Sequence, residues 1–376
     1  MKTYPLTSLN IEEATKKQFS LIDEITKVFR GSDILTRGDL GVIPGLNQPR
    51  TTNKVEKVLG NYFNAEAAML VRGAGTMAIR MALHATMNIG DTLLVHDAPV
   101  YPTTKVSIDT MGLKTIATDF NDLEKLQDTL KNQAIDGVLI QITRQKPDDS
   151  YDAKEVIQCI QNYLPNTPIV TDDNYAVLKT PEIGSQMGAT LACFSTFKLL
   201  GPEGIGCIVG KKKAIEKLKA ENYSGGLQVQ GHEAIDVLRG MIYAPVALAL
   251  SAIVLEEVKN SLNAGEVKGV KQAYIANAQS KVILVELDEP IASAVLKEAE
   301  KLGAAPNPVG AESQYEFVPM FYRLSGTFRA ANPDAERTMI RINPMRAGSE
   351  NIIRILHESI IAVSKKAGNS LKLKGS

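Results

Sequence analysis

The sequence predicts an α/β protein in which a large sheet-bearing domain is followed by a smaller one, and three observations carry that expectation. Short apolar, often β-branched runs alternate with stretches of helical spacing through the first two-thirds of the chain. One of those runs delivers a pair of carboxylates to its carboxyl end, where open α/β sheets bind ligands. Around Ala244 the pattern changes, and a long helical stretch from Pro245 leads into further strand and helix segments. With 376 residues, 44% of them hydrophobic, the chain is long enough for two cores. The expected division is 1–45 as an N-terminal helix and loop, 46–244 as the large domain, and 245–376 as a linking helix and small domain.

The elements follow in order. From about Ile11 to Arg30 the apolar residues Phe19, Ile22, Ile25, Val28 and Phe29 recur at helical spacing, and Gly31 is a stop. Residues 32–53 read as a long loop, of the kind that is functional or disordered. Val55 to Phe63 reads as a helix and Ala67 to Val71 as a strand, which ends at Arg72-Gly73-Ala74-Gly75-Thr76. Met77 to Asn88 is the next helix, closed by Gly90. A glycine turn that opens a helix presents free N–H groups and the positive end of the dipole, a phosphate site to which Thr76 adds a hydroxyl. The same turn also satisfies a loose G-x-G-x-x-A dinucleotide pattern through Gly73, Gly75 and Ala78, with Asp97 about 20 residues on. That rival gives Lys198 no role.

Thr92 to His96 is a strand ending in Asp97-Ala98-Pro99-Val100-Tyr101-Pro102, and Gly137 to Ile142 is another, with Thr143-Arg144-Gln145-Lys146-Pro147 at its end. His84 and His96 read as structural. Pro168 to Ala176 is a strand that carries Asp172 and Asp173 to its end, where two carboxylates repel unless a cation lies near. Alternation puts Asp172 and Asn174 on one face and Asp173 on the other. Ala189 to Phe194 and Ile205 to Val209 are buried strands, and between them Ser195-Thr196-Phe197-Lys198-Leu199-Leu200-Gly201-Pro202-Glu203-Gly204-Ile205-Gly206 holds a lysine against core. Such an amine is partly desolvated and suited to nucleophilic work, the alternative being a packed stem with its head in water. A charged helix, Lys211 to Glu221, precedes Tyr223-Ser224-Gly225-Gly226-Leu227-Gln228. In the small domain the expected elements are strand Lys281 to Leu287, helix Pro290 to Leu302, strand Thr338 to Ile342 and helix Ser349 to Lys365. Ile340 and Ile342 turn to the core, so Met339, Arg341 and Asn343 face the other way. The fork of Arg341 suits a carboxylate, with Arg323, Arg329 and Arg346 as rivals.

Composition narrows the function. Equal counts of 42 basic and 42 acidic residues argue against a nucleic-acid partner, and the Lys211 to Lys213 cluster is too short to suggest one. The three cysteines have no metal spacing and suggest a reduced, cytoplasmic protein without a metal. No signal pattern opens the chain, and no apolar run is expected to approach the ~20 residues that span a bilayer.

The segment from Ser195 to Gly206 resembles the S-x-H-K-x-x-G-P-x-G-I-G segment of class V aminotransferases and cysteine desulfurases, whose lysine forms a Schiff base with pyridoxal phosphate. It departs only at Phe197, where relatives often carry a phosphate-binding histidine. Gly73-Ala74-Gly75-Thr76 resembles the phosphate loop of fold-type I pyridoxal enzymes, and Asp97 to Pro102 the D-x-P-x-Y-P stretch whose aromatic ring stacks on the cofactor. Val170 to Ala176 is similar to the V-D-N-T-F-A stretch of cystathionine and methionine lyases, with departures at Asp173 and Asn174. The segment Ile340 to Asn343 resembles that of class V enzymes whose arginine holds the substrate carboxylate. Together the resemblance covers about residues 46 to 350.

It implies an aspartate aminotransferase-like fold of type I, with a mostly parallel seven-stranded sheet and a small C-terminal α/β domain. It implies pyridoxal 5'-phosphate as cofactor, with Lys198 and Asp172 as catalytic residues, Asp172 at the ring nitrogen, and Asn174 near the ring oxygen. Gly73, Ala74, Gly75, Thr76 and Ser195 fall at the phosphate, Tyr101 on the ring, and Ser224 and Gly225 at the phosphate of a neighbouring subunit in a homodimer with shared sites. Arg341, Arg144 and Arg50 are the candidates for substrate contact. The implied activity is that of an aminotransferase on a small amino acid, with a carbon–sulfur or other β/γ-lyase as alternative. A pyridoxal-phosphate-binding regulator without turnover is the reading from another class. The absence of cysteine between residues 305 and 330 argues against sulfur transfer.

Overall fold

The computed structural model describes residues 2–146, 148–278, 280–308 and 312–373. It divides into two compact units, one of Ser8–Arg144 and Ser150–Val246, the other of Met1–Thr7, Gln145–Asp149 and Ala247–Ser376.

The large unit begins with α1 (Ile11–Val28), α2 (Gly31–Ile34) and α3 (Arg50–Tyr62). Seven strands follow: β1 (Ala67–Arg72), β2 (Thr92–His96), β3 (Lys114–Thr118), β4 (Gly137–Gln141), β5 (Ile169–Asp172), β6 (Leu191–Ser195) and β7 (Ile205–Gly210). Between and after them come α4 (Ala74–Thr86), α5 (Pro102–Thr110), α6 (Leu123–Asn132), α7 (Ala153–Tyr163) and α8 (Lys212–Glu221). The sheet order is β1-β7-β6-β5-β4-β2-β3. The strands from β6 to β3 run parallel, and β7 is antiparallel to both its neighbours. This is the mostly parallel seven-stranded sheet that the sequence implied. Parallel sheets are covered on both faces, which is why β6 and β7 are buried at every residue. The helix α4 sets Ala78, Ile79, Ala82 and Leu83 against Met69, Val71, Leu93, Val170 and Ile208 of the sheet.

The helix α9 (Gly231–Asn263) holds the division between the units, at Val246 and Ala247. In the small unit β8 (Val270–Ala278), β9 (Ser280–Leu287), β10 (Met320–Tyr322) and β11 (Met339–Asn343) form an antiparallel sheet in the order β10-β11-β9-β8. Its helices are α10 (Ala292–Lys301), α11 (Gly326–Ala331), α12 (Ala335–Thr338) and α13 (Ser349–Leu373). The Ile340 and Ile342 side chains join the core with Val295, Leu356 and Ile360, whereas Met339 packs on the other face with Leu284 and Met320.

Several boundaries differ from expectation. The 32–53 loop is shorter, because Pro49 has an extended backbone suited to a cap and the Asp39 carboxylate accepts the Arg50 and Thr51 N–H groups at 2.8 and 2.9 Å, starting α3 early. Gly31 opens α2 rather than ending α1. The larger correction concerns Pro245, which lies inside α9 and does not begin a helix. Proline removes one ladder bond, and the apolar contacts on both sides of it hold the helix together regardless. Read through Pro245, α9 is long and apolar enough by length and composition to cross a membrane, contrary to the expectation that no run approaches that length. Of its most apolar window 44% is buried within the protein, and Ala234, Leu238, Met241, Leu248, Val258 and Leu262 are core residues.

Candidate active site

The chain bends sharply where the parallel strands end. Besides Asn47 and Asn64, five described non-glycine residues of the large unit, Ala74, Arg144, Tyr175, Leu178 and Leu200, have left-handed backbones, with φ between 54° and 65°. Such conformations are sterically strained for these side chains, and they cluster at sites the surrounding structure must hold in place.

β5 ends at Asp172, between Gln141 of β4 and Cys193 of β6. Asp172 is half-buried, and its Oδ1 accepts the Asn174 backbone N–H at 3.0 Å and the Asn174 side-chain N–H at 2.7 Å. The other end of that amide faces the lysine segment: Asn174 Oδ1 accepts the Ser195 N–H at 3.0 Å and the Lys198 ammonium at 3.3 Å. Asn174 therefore links the aspartate and the lysine in one chain of hydrogen bonds. Lys198 lies half-buried in a 3-10 turn, Thr196–Leu199, that leaves β6 and is closed by left-handed Leu200. Burial pushes the Asp172 carboxyl above its ordinary range, and the Asn174 side chain and Lys198 pull it back.

Asp173 points elsewhere, as strand alternation requires. It is fully buried, bonded to the Thr171 hydroxyl at 2.5 Å and the Gly184 N–H at 2.8 Å, and desolvation raises it to about 7. Its own N–H and C=O tie β6 to the turn through Cys193, Ala176 and Val177. Asp173 thus holds the segment that aims Asn174.

The two glycine motifs interlock through the main chain. The Gly73 and Ala74 N–H groups both donate to the Gly204 carbonyl, at 2.7 and 2.9 Å. A Cβ on Gly206 would lie 2.3 Å from the Ala74 carbonyl oxygen, and one on Gly75 would lie 2.6 Å from the Asn174 amide. Only glycine permits either approach. The N–H groups of Gly75 and Thr76 fall in the first turn of α4, where no intrahelical acceptor exists. The Thr76 hydroxyl is 3.1 Å from that of Thr103 in the first turn of α5, whose N-cap is Tyr101. Two helix N-termini thus bring their hydroxyls together.

This arrangement fits pyridoxal phosphate. A backbone cradle with hydroxyls suits a phosphate, the carboxylate of Asp172 suits a protonated ring nitrogen, and a half-buried amine is close by. Of the predicted residues, Gly75, Asp172, Asn174, Ser195 and Lys198 form one connected group, and Gly73, Ala74 and Thr76 adjoin it through the loop. Tyr101 is 44% exposed. Arg144 stands at the end of β4, where its Nε donates to the Tyr151 carbonyl at 3.0 Å and its guanidinium lies 5.6 Å from the Tyr151 ring centre. Arg50 is exposed at the start of α3, and Ser224 and Gly225 sit in an exposed loop, with Gly225 close to Val42. Arg341 belongs to the small unit, 7% exposed, its Nε donating to the Arg323 carbonyl at 2.8 Å and its guanidinium 4.0 Å above the Tyr322 ring. Sequence reasoning missed Thr103 and Tyr175. The proline at the start of α5 hinted at the first.

The fold and the site define a fold-type I pyridoxal-phosphate protein. Residues 49–272 match the family described as aminotransferase class-V, and the chain belongs to that family. Residues 256–356 match the YhfS-like C-terminal domain. The chain is 55% identical over 96% of its length to the whole of the Escherichia coli (strain K12) protein described as "Uncharacterized protein YhfS". The crystal structure of that pyridoxal-5'-phosphate-dependent protein superposes with a TM-score of 0.95, covering 96% of this chain and 100% of the other. A carbon–sulfur lyase involved in aluminium resistance from Clostridium novyi NT shares the fold at 16% identity and a TM-score of 0.71, covering 93% of this chain and 91% of the other. So does a cystathionine γ-lyase of Micromonospora echinospora, at 15% identity and 0.70, covering 92% and 98%. Pyridoxal phosphate is the cofactor of this family, and the chain is a pyridoxal-phosphate-dependent enzyme by family.

Proposed function

We propose that this protein is an aminotransferase acting on a small amino acid, with Lys198 as the covalent anchor of the cofactor. One observation carries the reading: Asn174 joins Asp172 and the Lys198 amine in a single hydrogen-bonded chain. Bound there, pyridoxal phosphate supplies an electron sink for the bond broken at the substrate Cα. The protein's residues do the rest. Asp172 would accept a hydrogen bond from a protonated ring nitrogen and keep it protonated. Gly75, Thr76, Thr103 and Ser195 would hold the phosphate, and Thr103 would supply a hydroxyl where the Phe197 side chain offers no donor. With the cofactor bound, the Lys198 amine would be the general base placed to take the Cα proton. Arg341 is the proposed carboxylate ligand, since its guanidinium cannot lose its charge, with Arg144 and Arg50 as further substrate contacts.

The match of residues 49–272 to class V aminotransferases supports transamination. β- or γ-elimination is the second reading, favoured by the likeness of Val170 to Ala176 to the lyase segment. An amino-acid panel separates them. A transaminase yields one equivalent of 2-oxo acid per site until an acceptor 2-oxo acid is added, and releases no ammonia with or without it, whereas a lyase releases ammonia continuously. A visible band that borohydride bleaches and that Lys198→Ala lacks establishes the lysine. No turnover of any amino acid would leave a cofactor-holding regulator, and a wild-type protein that stays colourless with added pyridoxal phosphate would overturn the reading.

We also propose a cytoplasmic homodimer. Leu40, Val42, Tyr223 and Leu227 are exposed on two loops that meet, with Gly41 N–H donating to Gln230 at 2.7 Å and Gly231 N–H to Asp39 at 2.9 Å. Apolar side chains gathered on touching loops are the composition of a subunit interface.

A further inference from the structure

Tyr175 is half-buried directly after Asn174, with φ of +65°. A bulky residue in that conformation is a backbone outlier, and the turn could have used glycine or asparagine without strain. What the strained backbone delivers is a ring face: the Lys198 Nζ stands 4.2 Å from the ring centre, well within the range of a cation–π contact. Lys179 approaches the same ring at 5.7 Å. Among the groups that face the Lys198 amine are Asn174 Oδ1 at 3.3 Å, the Tyr175 ring and, through charge, Asp172.

We propose that Tyr175 is the residue that holds the Lys198 amine as an ammonium in the cofactor-free protein, before the cofactor engages it. The ring takes the face of the cation that Asn174 leaves, so the amine is parked between an amide oxygen and an aromatic surface. It is kept protonated there and aimed along one line. The tyrosine hydroxyl has no part in this, so phenylalanine serves equally well. The inference rests on Lys198 being the reactive lysine, and it explains why a strained aromatic, rather than a glycine, follows Asn174.

The test is the pH–rate profile of Lys198 labelling by trinitrobenzenesulfonate in the cofactor-free protein, read by peptide mass spectrometry, with exposed Lys57 as internal standard. The reagent attacks only the neutral amine, so the profile midpoint reports protonation and the high-pH plateau reports access. In Tyr175→Gly the midpoint moves down by about 0.5 to 1 pH unit, the size of a partly desolvated cation–π contact. In Tyr175→Phe it stays within about 0.2 unit of wild type on the same scale. Tyr175→Asn, which tolerates the left-handed backbone, repeats the glycine result if that variant fails to fold. An unmoved midpoint in both non-aromatic variants, or a shift in Tyr175→Phe equal to theirs, overturns the proposal. Failure of the cofactor assignment reads differently, as a wild-type protein that takes up no pyridoxal phosphate while the labelling profiles still diverge.

Discussion

Gly75→Ala is the sharpest probe of the site, because the two effects it combines have opposite signs. Gly75 is helical, in the first turn of α4, and its φ is outside the left-handed region. On helix propensity alone, alanine there would stabilise by about 0.5–1 kcal/mol. The added Cβ, however, would stand 2.6 Å from both Nδ2 and Oδ1 of Asn174 and 3.0 Å from its Cγ. The amide must turn away, which breaks its 2.7 Å bond to Asp172 and its 3.0 Å bond from the Ser195 N–H. At about 1 kcal/mol for the neutral bond and about 1.5–3 for the one to a carboxylate, the loss is about 2.5–4 kcal/mol. The net expectation is destabilisation by about 1.5–3.5 kcal/mol, together with weaker cofactor binding. Thermal melts of the cofactor-free protein and a fluorescence titration with pyridoxal phosphate measure both. In an Asn174→Ala background the obstacle is gone, so the same substitution should become neutral or stabilising. A Gly75→Ala protein that melts at or above wild type and binds the cofactor equally well would refute the reasoning.

Asp173→Asn tests the buried carboxyl. Its folded value of about 7 lies above the ordinary 3.8, so the folded state holds an extra proton between the two. That contribution is fully present below pH 4 and is lost as pH rises through 7, on the order of a few kcal/mol. The melting temperature of wild type relative to Asp173→Asn should fall between pH 5 and pH 8, and a constant difference would sink the assignment. Glu56 is 4% exposed and accepts from the Leu70 N–H at 2.9 Å, Gln48 at 3.1 Å and Lys219 at 2.6 Å. Glu56→Gln sets an amide against those donors and should cost about 2–3 kcal/mol by urea denaturation, against near-zero if water replaces them. Leu40→Arg with Tyr223→Arg should convert a dimer to monomer by light scattering; a dimer that persists moves the interface elsewhere.

What the sequence showed follows a physical line. Lys198 and the glycines around it were legible because a backbone-on-backbone approach admits no other residue, as Gly206 against Ala74 demonstrates. The aspartate segment was legible for a similar reason, since a β-branched run ending in carboxylates leaves few places for the charges to go. Of the edge strands, β3 and β8 were not: β3 has exposed residues at positions 114, 115 and 117, and β8 carries Lys271, Gln272 and Asn277. A strand paired on one side and wetted on the other loses the apolar run that marks central strands. Tyr175 was invisible for another reason. Its place against Lys198 depends on a left-handed backbone that nothing in the residue type announces. Pro245 misled because helix interiors rarely admit proline, and the packing that overrides that preference is tertiary.

The position of β1 in its sheet bears on how the protein is made. β1 is an edge strand whose only partner in the sheet is β7, and the loop after it is bonded to Gly204 just before β7. Those partners leave the ribosome about 130 residues later, at least several seconds on at ordinary synthesis rates. Until then Ala67-Ala68-Met69-Leu70-Val71 is an apolar strand with no neighbour to pair with, a segment prone to aberrant self-association. The turn after β1 also lacks its two hydrogen bonds to Gly204 in that interval. Cofactor capture is therefore a late event in biogenesis, possible only after the nascent chain has grown past Gly204 and β7.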